Sequence, residues 1–192
     1  AALGSRLLST DDREQAEQIA AELERLNAER QRAEAAMLEE AMAEGEAETA
    51  RGEGPAVLVT ARDGWHPGIV GLLASRLKDR FSRPAIAIAF DRNGKGTGSG
   101  RSISGVDLGA AVRGAVEAGV LEKGGGHAMA AGLTVDQGRL GELRAYMEDA
   151  LTEAVGKARA VHTLKIDAAL SARGATLELV DLLEQAGPYG AG

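Results

Sequence analysis

The spacing of apolar residues changes near residue 55. Before that point Ile19, Leu23, Leu26, Ala33 and Met37 recur at steps of three, four and seven among Glu, Arg, Gln and Ala. Such spacing lays a narrow apolar seam along a helix. It predicts one helix over residues 11–50, capped by Thr10, with Asp11, Asp12 and Glu14 at the positive end of its dipole. At 1.5 Å per residue this helix is roughly 60 Å long, more than a small domain needs, so it is expected to bridge a partner helix or two domains. The stretch Arg51-Gly52-Glu53-Gly54-Pro55 ends it.

Strand and helix signals then alternate. Residues 56–60 are continuously apolar up to Thr60 and predict a buried strand. Pro67 is placed to open a helix over 67–81, with Ile69, Leu72, Leu73 and Leu77 on one face. A second strand is expected over 84–90, then a turn at Asp91-Arg92-Asn93-Gly94 and an extended return over 95–103, antiparallel to it. Residues 107–118 predict a helix capped by Asp107, and Gly124-Gly125-Gly126 predicts a chain break. A strand over 132–135, an amphipathic helix over 139–155, a strand over 164–168 and a short helix over 176–185 complete the series. Helices alternating with strands imply a layered α/β domain. The expected division is a connector over 1–54, the α/β domain over 55–160 and a strand-helix segment over 161–192.

Composition narrows this picture. Aromatic residues make up 3% of the 192 residues, so the core falls to Leu, Val, Ile and Ala. There is no cysteine, hence no disulfide framework and no thiolate metal site, which suits the cytoplasm. No apolar run is long enough to span a bilayer, and no membrane partner is expected. Neither end reads like a natural terminus, so the chain is expected to be a piece of a longer protein. The net charge of −7 argues weakly against nucleic acid, but its distribution does not. Residues 1–54 hold 6 basic and 14 acidic side chains, a net of −8; residues 55–135 hold 10 and 6, a net of +4; residues 136–192 hold 6 and 9, a net of −3. The glycine-rich middle is the one basic segment, and a local basic face matters more for phosphate binding than the total.

Three segments could carry chemistry. In Gly94-Lys95-Gly96-Thr97-Gly98-Ser99-Gly100-Arg101-Ser102, alternate glycines bare one face of an extended strand. Lys95, Thr97, Ser99, Arg101 and Ser102 are suitable donors to a phosphate, with Ser99 and Arg101 on the same face. The other reading is a strand packed tightly under a helix. The segment fits neither a Walker A loop nor Gly-x-Gly-x-x-Gly. In Gly124-Gly125-Gly126-His127, the glycines can form a nest of N–H groups beside a histidine able to donate, or to act as acid or base, unless it is structural. In Asp63-Gly64-Trp65-His66-Pro67-Gly68, His66 sits where anions bind at a helix start, and the competing reading is a packed Trp65 closing the turn. His66, His127 and His162 are far apart with no ligand partner at metal spacing, so no metal site is expected, and no Ser-His-Asp arrangement follows from spacing.

Taken in order, Gly64-Trp65-His66-Pro67-Gly68-Ile69-Val70-Gly71, Gly98-Ser99-Gly100-Arg101-Ser102 and Gly125-Gly126-His127-Ala128-Met129-Ala130-Ala131-Gly132 resemble the DHHA1 domain of RecJ-type exonucleases. The resemblance is close over residues 55–136, and the long helix is similar to the family's connector between lobes. It implies a mixed β-sheet flanked by helices, behind a long connecting helix. It implies the substrate-binding part of an enzyme that hydrolyses single-stranded DNA from the 5′ end with Mn²⁺ or Mg²⁺. The metal ligands of that family surround an Asp-His-His motif in a separate DHH domain, and no Asp-His-His occurs here. The Asn-Ala-Ala-Gly-Arg stretch common before the connector is also absent, while Gly187-Pro188-Tyr189-Gly190 looks like the lead into an OB-fold domain. By resemblance, Ser99 and Arg101 would hold the terminal phosphate, with Gly100 and Ser102 beside them. Gly125, Gly126 and His127 would line the cleft facing the metal site, while Lys95 and His66 are weaker candidates. The partners implied are single-stranded DNA and the missing DHH and OB-fold domains. The chain alone is expected to be inactive, and its helix could pair two copies in a non-native dimer. The Gly-Gly-His segment is shared with oligonucleotide and cyclic-dinucleotide phosphodiesterases of the wider superfamily, which remain an alternative, as does a nucleic-acid-binding module without catalysis.

Overall fold

The computed structural model describes residues 2–50, 52–160 and 169–187, and opens on a helix that the apolar spacing does not predict, α1 (Ala2–Ser9). The long helix α2 (Arg13–Thr49) follows, and its cap is Asp12 rather than Thr10. The Asp12 carboxylate accepts from the amides of Glu14 and Gln15, at 3.0 and 3.3 Å, while the Thr10 hydroxyl accepts from Asp12 N at 3.2 Å. Thr10 thus shapes the turn, and the charged oxygen two residues on takes the helix's free donors. The seam is also shorter than the spacing implies. Ile19 is buried, and α1 contacts α2, but Leu26 and Ala33 are exposed. Met37, Ala41 and Gly45 are buried at the other end, where α2 lies on the α/β domain.

That domain runs β1 (Leu58–Asp63), α3 (Val70–Phe81), β2 (Ala85–Phe90), β3 (Lys95–Arg101), α4 (Leu108–Glu117), β4 (Lys123–His127), β5 (Ala130–Asp136), a 3₁₀ turn (Gln137–Arg139) and α5 (Leu140–Ala160). The sheet order is β1-β2-β3-β5-β4, with β1 and β2 parallel and the other pairs antiparallel, a mixed sheet. β1 starts two residues after the expected point, because Leu58 is the first residue to pair with β2. Ahead of it, Ala56 N donates to the Glu148 carboxylate of α5 at 2.8 and 3.0 Å. α3 starts at Val70 instead of Pro67, since residues 66–69 close a turn in which Ile69 N donates to His66 O at 2.9 Å. The three glycines at 124–126 do not break the chain but form most of β4. The strand expected over 164–168 lies outside the described residues.

Two cores sandwich the sheet, and β2 shows why. Its odd positions, Ala85, Ala87 and Ala89, are small and lie under α3, with Val70, Leu73, Ala74 and Leu77. Its even positions, Ile86, Ile88 and Phe90, are large and face α4 and α5, with Leu108, Val112, Leu143, Met147 and Leu151. The small face lets α3 and α2 approach closely, and the large face supports the deeper core. α3 and α2 cover one face over β1 to β3 only. Beyond them β5 and β4 stay open on that face, and β4 is the edge strand.

Contacts divide the chain into units of residues 1–161 and 162–192. In the second unit α6 (Leu177–Gln185) is capped by Thr176, whose hydroxyl accepts from Leu179 N at 3.2 Å. Among the described residues no helix is long and apolar enough to cross a membrane.

Candidate nucleic-acid interface

The alternate glycines of β3 turn away from solvent. Gly96 pairs with Phe90, Gly98 with Ile88 and Gly100 with Ile86, so each large residue of β2 has a glycine as cross-strand neighbour. A Cβ at Gly98 would lie 2.7 Å from Leu133 Cδ1, and one at Gly100 2.6 Å from Leu108 Cδ2. The bared face is therefore filled by core side chains, and Gly100 faces that core instead of a ligand. Ser102 is also withdrawn: it is fully buried, and its hydroxyl donates to Val106 O at 2.8 Å, latching the loop into α4.

The intervening side chains of β3 lie on the opposite face. Paired residues of adjacent strands share a face, so the register sets out three rows across β3, β5 and β4. Arg101, Ala130 and His127 form the first; Ser99, Gly132 and Gly125 the second; Thr97, Thr134 and Lys123 the third. Arg101 Nη1 donates to Ser99 Oγ and to Gly100 O, both at 2.9 Å. This fixes the guanidinium plane, while among the described residues Nε and Nη2 make no hydrogen bond and no carboxylate pairs with the group. α3 forms the wall: a Cβ at Gly71 would lie 3.2 Å from Arg101 Nη2 and 3.3 Å from Ser99 Oγ. At Gly125 and Gly132 an added Cβ would meet nothing within 4 Å, so the second row is a bare floor. A half-buried, oriented and unpaired guanidinium at the edge of a bare floor suits bidentate binding of a phosphate.

The other candidates divide. His127 is exposed, at the far end of the row that Arg101 begins, where the two-residue link Ala128-Met129 joins β4 to β5. Gly126 faces the other way. Its φ is +155°, a Cβ there would collide with Ala130 O, and its own carbonyl accepts from Arg113 Nη1 at 3.0 Å. Lys95 is exposed beyond the third row and tied to Glu122 at 2.7 Å, a hydrogen bond and charge that hold its ammonium pKa above the ordinary value. His66 Nδ1 accepts from Gly68 N at 3.0 Å within the turn. Trp65 is buried, and its indole N–H donates to Glu40 of α2 at 2.9 Å, which is the packed-tryptophan reading of that segment. Trp65 also lines a cleft of about 630 Å³ with Asp63, Phe90, Arg92, Lys95 and Thr97, separate from the Arg101 row but touching the third row at Thr97. Thr97 is among the donors expected from the sequence, whereas Thr134, Lys123 and Gly132 are not assigned a role by it. Their signal is period-two alternation, but only the register reveals that three such alternations line up.

A family model for the DHHA1 domain matches residues 54–153. The chain belongs to the DHHA1 family. The single-stranded-DNA-specific exonuclease RecJ of Dickeya dadantii (strain 3937) is 38% identical over 195 residues, which cover 98% of this chain and 33% of that protein. The RecJ of Bacillus subtilis (strain 168) is 33% identical over 185 residues, covering 96% of this chain and 23% of that one. The crystal structure of RecJ from Thermus thermophilus in complex with Mn²⁺ matches with a TM-score of 0.73 at 29% identity, covering 96% of this chain and 26% of that one. The DHHA1 chain thus spans about a third of the Dickeya relative's length. Among its described residues no group of three or more His, Cys, Asp or Glu side chains could hold a metal ion, so its donors do not fit an ion of the kind that the Thermus structure carries.

Proposed function

We propose that this DHHA1 domain is the substrate-holding part of an exonuclease that degrades single-stranded DNA from the 5′ end. The observation that carries the reading is the Arg101 guanidinium, oriented by Ser99 and without an anionic partner among the described residues. It receives the terminal phosphate, Ser99 adds its hydroxyl, and the Gly125–Gly132 floor leaves room for the sugar. His127 closes the row on the side where a catalytic lobe would approach. The Dickeya and Bacillus relatives are exonucleases specific for single-stranded DNA, which supports this substrate class. Metal chemistry enters from another part of a longer protein, because the described residues supply no ligand cluster.

The test is Arg101→Ala in the longer enzyme, with 5′-phosphorylated and 5′-hydroxyl single strands compared. The expected loss is about 1–3 kcal/mol on phosphorylated ends, the scale of a charge-assisted contact, with little change on hydroxyl ends. Arg101 supports little packing, so the melting temperature should hold. Equal losses on both substrates would show that Arg101 does not read the phosphate.

A further inference from the structure

β4 is an edge strand, and glycine occupies its residues 124–126. Such a sequence by itself does not hold His127 still, because glycine admits more backbone states than any other residue. The fixing comes from the face away from Arg101, from α4 and the segment that leads into it. Ser102 N donates to Met129 O at 3.0 Å, Leu108 N to Ala128 O at 3.1 Å and Arg113 Nη1 to Gly126 O at 3.0 Å. The remaining carbonyl of the run, that of His127, lies against Gly109, where an added Cβ would come within 2.8 Å of it and 2.9 Å of Gly126 O. Every carbonyl from Gly126 to Met129 thus meets α4 or its lead. The imidazole of His127 belongs to the opposite face, in the Arg101 row, exposed and without a hydrogen bond among the described residues.

A free side chain on a held backbone has only its own rotamers left to order, so it meets a ligand at lower entropic cost. Two details tie this arrangement to α4. Gly109 is buried in the first turn of that helix, where most residues would serve a helix better. An alanine there would press on backbone carbonyls, which cannot swing aside as a side chain can. Arg113 is exposed, yet its guanidinium reaches a carbonyl of the edge strand instead of remaining in water. We infer that Gly109 and Arg113 are positioning residues for His127, setting the height and orientation at which its imidazole meets the reacting end of a bound strand. The inference rests on the proposed reading, in which His127 closes the row toward the catalytic lobe. Both residues act through the backbone of residues 126 and 127, on the face that the strand does not touch.

A double-mutant cycle in the longer enzyme tests it, read as the single-turnover rate of removing the first nucleotide from a 5′-phosphorylated single strand. Gly109→Ala should slow that step about ten- to a hundredfold, the scale of a misplacement near 1 Å. Arg113→Ala should slow it about three- to tenfold, as for one hydrogen bond from a charged group. Arg113→Lys keeps a donor and should recover part of that loss. The half-saturating concentration should hold throughout, since Arg101 and Ser99 are untouched. His127→Ala should slow the step at least as much as Gly109→Ala, and in that background neither substitution should slow it further. In this chain, Gly109→Ala should move the amide shifts of residues 126–129 and the imidazole shifts of His127, and leave Ser99 and Arg101 in place. Should Gly109→Ala not fold, the Arg113 substitutions carry the cycle. Equal slowing with and without His127 means a merely structural role and overturns the inference, as does full activity of both Gly109→Ala and Arg113→Ala, or an imidazole that does not move. A His127→Ala enzyme as fast as the wild type overturns the reading of His127 as well, whatever the phosphate comparison at Arg101 returns.

Discussion

Two glycines of the same sheet separate structural from ligand-facing roles at the scale of single residues. Gly98 lies beneath Ile88 and Leu133, so Gly98→Val forces a side chain into a filled core and should cost about 1–3 kcal/mol, seen as a lowered denaturation midpoint. Gly125 meets nothing, so Gly125→Ala should melt near the wild type while raising the floor under a bound nucleotide and weakening it. An unchanged melt for Gly98→Val would return the β3 glycines to the ligand side. Sequence alone left that choice open, because alternation shows that one face is bare and not what lies against it. The answer came from the cross-strand pairing of Gly96, Gly98 and Gly100 with the large residues of β2. Thr60 offers a different residue-scale test. It is fully buried on β1, and its hydroxyl has no partner among the described residues. Thr60→Val removes an unsatisfied polar group at nearly constant volume, so urea denaturation should show a gain of about 1 kcal/mol.

Among the elements, α2 divides into two parts. Its end nearer the domain is held by burial of Met37, Ala41 and Gly45, with ion pairs from Glu44 to Arg144 at 3.1 Å, Glu40 to Arg62 at 3.6 Å and Glu46 to Arg80 at 3.7 Å. Residues 20–36 have no buried member. Long helices draw most of their stability from packing, so amide exchange should be slow over 37–49 and fast over 20–36. Uniform protection along the helix would mean that a second copy or another surface covers the exposed part. One contact at the held end works against stability. Glu48 lies half-buried against α5, and burial pushes its carboxyl pKa above the ordinary value, with Arg144 only partly opposing the shift. The folded chain then binds more protons than the unfolded one above the unfolded glutamate pKa of about 4.3, so this group's contribution to stability falls as pH rises through that window. Glu48→Gln should raise the melting temperature at pH 7, and the gain should vanish below about pH 4, where the carboxyl is protonated in both states. The helices were legible because periodicity and caps are local, as at Asp107 and Thr176. β4 was not, because the extended state of three glycines is set by β5 alongside, and propensity carries no trace of a neighbour.

For the whole molecule, the expected biochemical outcome is negative. The purified chain should release no mononucleotides from 5′-phosphorylated single-stranded DNA with Mn²⁺, since the described residues hold no ligand cluster. Metal-dependent release lost on His127→Ala would contradict this. The candidate interface was half legible. The motif order singled out Ser99, Arg101, Gly125 and His127, which the register brings onto one face, but gave no sign that Gly100, Gly126 and Ser102 point elsewhere. Facing is a property of pairing across strands that lie more than 20 residues apart in the chain. The same architecture has an optical consequence. Trp65 is the one tryptophan in the sequence, its ring is buried in the domain, and its N–H is bound to Glu40 of the long helix. Lifting the helix off the domain exposes that indole to water, whereas fraying of the helix's far end leaves it dark to the event. Emission that reddens before far-UV ellipticity falls would therefore time the undocking of the helix apart from the melting of the sheet, with no label attached.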